Sequence, residues 1–192
     1  MKYKNVTPGK TYKVSGTLYE KVTAKDGKVS KKQLLDADGN PVTAETEFVP
    51  DDTYGTVDVT FAFDASDLKA KDKVVAFESL SLNGKELASH ADIEDKSQTV
   101  TITKPEVGTT AKDGLDGNKT VVSDTEVSVV DTVKYKNVTP GKTYKVSGTL
   151  YEKVTAKDGQ VSTKQLLDAD GHPVTAETEF VPEDHSGPVH VT

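Results

Sequence analysis

The residues from Lys2 to Thr60 recur as Lys134 to Thr192 at an offset of 132, with eight differences. Solenoid repeats run to about 20–50 residues, so a period of this length belongs to a whole domain and the chain has to fold as copies of one design. The differences are Lys28/Gln160, Lys31/Thr163, Asn40/His172, Asp51/Glu183, Thr53/His185, Tyr54/Ser186, Thr56/Pro188 and Asp58/His190. Apart from Asn40/His172 they fall in two turn-like stretches, which are expected to face solvent.

The first copy begins at the position matching Val133, and the second ends at Thr192 without a counterpart of Phe61 to Lys104. The expected organisation is therefore a domain over residues 1–104 that lacks its first strand, a linker over 105–118, and the N-terminal part of a second domain over 119–192. The linker reading rests on the glycines and the absence of aromatic residues between Pro105 and Asn118.

Val57, Val59, Phe61 and Phe63 alternate with Asp58, Thr60 and Ala62, the period-two pattern of a half-buried strand. Thr11 to Tyr19, Thr43 to Val49, Lys73 to Leu82, Gln98 to Thr103 and Glu126 to Tyr135 read the same way. Asp26-Gly27, Asp38-Gly39 and Asn83-Gly84 supply the left-handed backbone that tight hairpins need. Asp64 to Lys71 is expected to form a helical turn capped by Asp64 or Ser66. A thin core follows from 34% apolar residues, 6% aromatic residues and no tryptophan. Together these predict an all-β fold, an antiparallel Ig-like β-sandwich in tandem domains.

The net charge is −7, and every basic residue is a lysine. Without the planar guanidinium fork, and with this sign of charge, nucleic acid is not an expected partner. Zero cysteine excludes disulfides and thiolate chemistry. No run approaches the roughly 20 apolar residues of a membrane span. Asp36-Ala37-Asp38-Gly39-Asn40 has part of a calcium-loop pattern, but the flanks are strand-like and a solvated turn is the preferred reading. His172, His185 and His190 replace Asn, Thr and Asp of the first copy, so no metal or other cofactor is expected.

Two polar residues fall at apolar positions of the strand pattern. Gln98 alternates with Val100 and Ile102, and a carboxamide on that face either bonds to neighbouring backbone or is held for reaction. Glu78 alternates with Val74, Ala76, Leu80 and Leu82; the competing assignment makes Val75 and Phe77 the core face and leaves Glu78 solvated.

The segments Asp131 to Lys142, Val75-Ala76-Phe77-Glu78, and His90 to Thr99 resemble the VaFE-type Thr–Gln ester-bond domains of Gram-positive surface adhesins. The resemblance implies that a threonine attacks a glutamine, ammonia leaves, and an ester staples the first strand to the last, assisted by two acids and a histidine. By matching motif it implies Thr132 as nucleophile, Gln98 as acyl donor, and His90 and Glu78 as helpers. Asp38 is favoured over Asp36 for the second acid. The set is divided between the copies, with Gln98, His90 and Glu78 in the first and Thr132 in the second.

The function so implied is that of a structural stalk module in an extracellular, cell-wall-anchored adhesin or pilus-like protein, cross-linking itself once and not turning over as an enzyme. Its expected partners are neighbouring domains of the same parent protein and, through strand complementation by Glu126 to Val133, other parts of this chain or a second copy. The rival readings are a module that binds a host protein or glycan, disfavoured by the lack of tryptophan, and a Lys–Asn isopeptide sandwich.

Overall fold

The computed structural model describes residues 1–191; Thr192, the last residue of the repeat, lies outside the described residues. The chain divides into two units, Met1–Thr103 and Lys104–Thr192. The fold is all-β and antiparallel, a β-sandwich built from several sheets.

Unit 1 contains β1 (Lys2–Lys4), β2 (Tyr12–Thr23), β3 (Val29–Gln33), β4 (Thr43–Phe48), β5 (Tyr54–Thr56), β6 (Lys73–Leu82), β7 (Lys85–His90) and β8 (Thr99–Thr101). β2 is the spine. β6 runs along one side of it from Tyr12↔Leu82 to Lys21↔Lys73. On the other side β4 takes its first half and β3 its second. β7 and β8 both pair with the free edge of β6, at opposite ends. Strict alternation along β2 buries Tyr12, Val14 and Leu18, and the face they share is the core. Val6, Tyr12, Val14 and Leu80 form one buried cluster, and Leu18, Leu34, Val42 and Val74 form a second, covered by Phe61 and Phe63.

The β6–β7 hairpin positions the site. Asn83 and Gly84 form its two-residue turn with φ of 51° and 76°, the doubly left-handed turn whose twist suits a tight hairpin. Between Leu80 and Ser81 the register then shifts by one residue. An uninterrupted ladder from Leu82↔Lys85 would set Glu78 against Ser89; the bulge sets it against His90.

Unit 2 contains β9 (Glu106–Asp113), β10 (Val129–Lys136), β11 (Tyr144–Thr149), β12 (Tyr151–Thr155), β13 (Val161–Gln165), β14 (Thr175–Phe180) and β15 (Gly187–Val191). β10 is the centre of a three-stranded sheet, with β15 on one side and β9 on the other. β11–β14 and β12–β13 reproduce the β2–β4 and β2–β3 registers at the offset of 132, from Tyr144↔Phe180 to Tyr151↔Gln165. Where β2 is continuous, its counterpart is interrupted at Leu150, and among the described residues no strand pairs along it as β6 pairs along β2. Gly148, Leu150, Leu166 and Val174 consequently line an apolar cavity of ≈ 520 Å³. Their unit 1 counterparts Leu18, Leu34 and Val42 are buried beneath Phe61 and Phe63, and Gly16 lies against the Phe61 ring.

Four sequence expectations need correction. Residues 106–113 are not linker: they are β9, hydrogen-bonded to β10 along its length. Asp64 to Lys71 forms hydrogen-bonded turns, with Leu68 N–H donating to the Ala65 carbonyl, and no helix. Residues 57–63 alternate in burial as predicted, but Val57 exchanges backbone hydrogen bonds with Met1 and residues 58–63 join no ladder. Gln98 closes a 3-10 turn over Lys96–Gln98, and strand β8 starts one residue later.

Candidate functional site

In unit 1, Glu78, His90 and Gln98 line one cavity of ≈ 620 Å³, together with Met1, Val59, Phe61, Ala76 and Val100. Each arrives on a different element. Glu78 is on the same face of β6 as Val74 and Leu80 of the core clusters and is half-buried on the cavity wall, while Val75 is fully buried on the opposite face. Val75 and Phe77 lie on the other face, where Phe77 stacks on Tyr19 beneath the Lys31 ammonium. His90 ends β7 directly across from Glu78. Gln98 is delivered by the 3-10 turn, and its Oε1 is buried with no hydrogen-bond partner. An amide oxygen held away from water and left unpaired is costly in a finished domain, so this one is exceptional.

The turn is held by Asp95. Its Oδ1 accepts from Ser97 N at 2.7 Å, its Oδ2 lies 2.8 Å from His90 Nε2, and its carbonyl accepts from Thr99 Oγ1 at 2.6 Å. The Ser97 hydrogen bonds, with a smaller contribution from His90, hold the Asp95 carboxyl below the usual aspartate range.

The strand that belongs beside this cavity is defined by the repeat. β1 pairs with β5 as Lys2↔Thr56, and β10 pairs with β15 as Lys134↔Pro188, the same register displaced by 132. The Met1 ammonium donates to Val57 O at 2.7 Å, continuing that ladder. Since Asp131 pairs with Val191, its equivalent in unit 1 would sit opposite Val59, on the wall of the Glu78–His90–Gln98 cavity.

Unit 2 shows what such a strand presents. Val133 and Tyr135 are buried while Lys134 and Lys136 are exposed, so Asp131, Val133 and Tyr135 form the inner face of β10. Asp131 carries a buried Oδ1 with no hydrogen-bond partner. Thr132 points to the other face, where its Oγ1 is 3.1 Å from His190 Nδ1. On β9, Thr109 pairs with Val133 and Ala111 with Asp131, which puts Thr109 on the same face as Asp131 and diagonally across from it, although Thr109 is exposed in this chain. Thr110 pairs with Thr132 on the outer face.

Three of the five expected residues thus come together in unit 1, and two do not join them. Asp38 is exposed in a turn whose Asp36 Oδ1 accepts from the amides of Asp38 and Asn40, and it does not line the cavity. Asp168 holds the amides of Asp170 and His172 identically in unit 2, so the cluster of Asp168, Asp170 and His172 is turn chemistry on exposed residues. Thr132 is separated from Asp131 by the strand's own alternation. Two residues that sequence reasoning did not single out, Asp131 and Thr109, share the inner face of this sheet. Asp131 was legible as an acid in the apolar register of Val129, Val133 and Tyr135; Thr109 was hidden by the linker assignment.

The family described as T-Q ester bond containing domain matches residues 1–102 and again residues 105–192. The two matches cover nearly all of the sequence, so the chain belongs to the Thr–Gln ester-bond domain family, whose members are ester cross-linked structural modules. The second match starts at residue 105 and takes in β9. No curated protein is significantly similar to the chain.

Proposed function

We infer that each complete copy of this domain forms one intramolecular ester between Thr109 and the glutamine equivalent to Gln98, with Asp131, Glu78 and His90 as its helpers. The observation that carries the reading is the meeting of Glu78, His90 and the unpaired Gln98 amide at one cavity. Thr109 is preferred to Thr132 as nucleophile because it shares a face with the unpaired Asp131 carboxylate. In the reaction the Thr109 Oγ–H gives its proton to one of the two acids as Oγ attacks the glutamine Cδ. The second acid, still protonated, hydrogen-bonds to the developing oxyanion. The Oγ–Cδ bond forms, the Cδ–Nε2 bond breaks, and the nitrogen leaves as ammonia carrying the proton that Thr109 gave up. Fixing both reactants side by side on paired strands supplies up to roughly 7–11 kcal/mol through proximity and orientation.

The reaction occurs once per domain, so the protein is a self-processing structural module and not a turnover enzyme. A bond from first strand to last would add on the order of 4–5 kcal/mol by loop closure in a chain with no cysteine. We assign such modules to the stalk of an extracellular, wall-anchored adhesin, with neighbouring copies as partners. Two family matches in succession support the tandem arrangement. Among the described residues no helix is long and apolar enough to cross a membrane.

Two N-terminal extensions test the chemistry. One joins a copy of residues 105–133 ahead of Lys2, and the other joins only residues 120–133. The longer form is expected to lose the mass of one ammonia and, on treatment with hydroxylamine, to gain the mass of one hydroxylamine as the Gln98 hydroxamate with the threonine hydroxyl set free; the shorter form should keep its full mass. Ester formation in the shorter form would restore Thr132 as the nucleophile, and full mass in a folded longer form would remove the ester altogether.

A further inference from the structure

We propose that Asp95 is the positioning residue of the acyl-donor half-site, one carboxylate that fixes the His90 ring and holds the turn presenting Gln98. The proposal rests on the ester reading above and adds a residue to it.

Asp95 spans the two functional side chains without touching the reacting atoms. Its Oδ1 caps the 3-10 turn through Ser97 N, at the residue next to Gln98, and its carbonyl ties down Thr99 on the other side. The cap matters because a three-residue turn has no length of its own to stabilise it. Oδ2 takes His90 Nε2 at 2.8 Å. A carboxylate at that nitrogen keeps the proton on Nε2 and leaves Nδ1 unprotonated, as second-shell carboxylates do for histidines elsewhere. The imidazole is then oriented by the same group that orients the amide, so their separation does not depend on the length of the β7–β8 connection. In the ester reaction the ring relays to the departing nitrogen the proton that Thr109 gives up, and Asp95 neutralises the imidazolium while it holds that proton.

Asp95→Asn separates the two duties. Asparagine caps as well as aspartate does, but with its oxygen on Ser97 its NH2 group faces His90 Nε2 and favours the opposite tautomer. The first readout is the imidazole ¹⁵N spectrum of the full 192-residue chain. The parent should show His90 protonated at Nε2 and Asp95→Asn should show the proton at Nδ1, with the Ser97 and Gln98 amide signals little changed. The second is ester formation in the form extended by residues 105–133. Asp95→Asn should slow it at least about tenfold at unchanged melting temperature, and Asp95→Ala, which also loses the cap, should slow it further. A parent His90 protonated at Nδ1, or an Asp95→Asn variant that reacts at the parent rate, would overturn the proposal. An extended parent that never forms the ester would remove the underlying reading instead, while the tautomer measurement would still decide the role of Asp95.

Discussion

Glu78 and His90 face each other across the β6–β7 ladder because a one-residue bulge between Leu80 and Ser81 corrects a register that would otherwise pair Glu78 with Ser89. Side chains alternate along a strand, so a slip of one residue would turn the imidazole to the opposite face of the sheet. The pairing of Glu78 with His90 is therefore a product of the hairpin's geometry as much as of its residues.

The two copies act as internal controls for one another. Gly16 packs so closely on the Phe61 ring that a methyl group there must displace it, whereas Gly148 has nothing within 4 Å of that position. Gly16→Ala is expected to destabilise unit 1 by about 1–3 kcal/mol, and Gly148→Ala to leave unit 2 within about 0.5 kcal/mol. Urea titration followed residue by residue in NMR spectra distinguishes the units.

The same contrast holds for leucine. Leu18 is 4% exposed inside a filled cluster, while Leu150 lines an open cavity. Leu18→Ala should cost about 2–4 kcal/mol and Leu150→Ala under about 1 kcal/mol; equal costs would mean that the cavity is filled in solution.

Amide exchange should follow strand neighbours. β2 is paired along both sides, whereas β12 and β13 pair only with each other and are exposed throughout. Protection is expected to be highest for Val14 and Leu18 and lowest for residues 151–165, since a lone two-stranded pair is marginal in water. Comparable protection in both would refute the assignment of residues 151–165 as an isolated hairpin.

Acid should loosen the Gln98 turn before it unfolds the sheet. Asp95 titrates below its ordinary range, so its cap contributes fully above that range and is lost as pH falls through the depressed value. The Ser97 amide resonance should shift, and its exchange accelerate relative to Val75 amide exchange, only at pH values below the usual aspartate range. A change centred well above that range would assign the cap to another group.

Much of the site and fold could be read from local patterns. Period-two alternation located β2, β4, β6 and β10, and Asn83-Gly84 located the hairpin turn, because strand faces and tight turns are set by neighbouring residues. Motif order brought out Glu78, His90 and Gln98. Thr132 was implied by its place in the matching motif and Asp38 by preference over Asp36 in the same turn, and neither ground says which way a side chain points.

The sequence by itself determined that this is a repeated, cysteine-free β protein with a glutamine in an apolar strand register, since composition, periodicity and the offset of 132 are properties of residues and their neighbours. Tertiary structure decided the rest. Only pairing with β10 turned residues 106–113 from apparent linker into a strand and gave Thr109 the face of Asp131. Only the bulge in β6–β7 aligned His90 with Glu78. Both are matters of register between segments distant along the chain or joined by an irregular ladder, and register is fixed by the ladder as a whole, so no local window of sequence contains it.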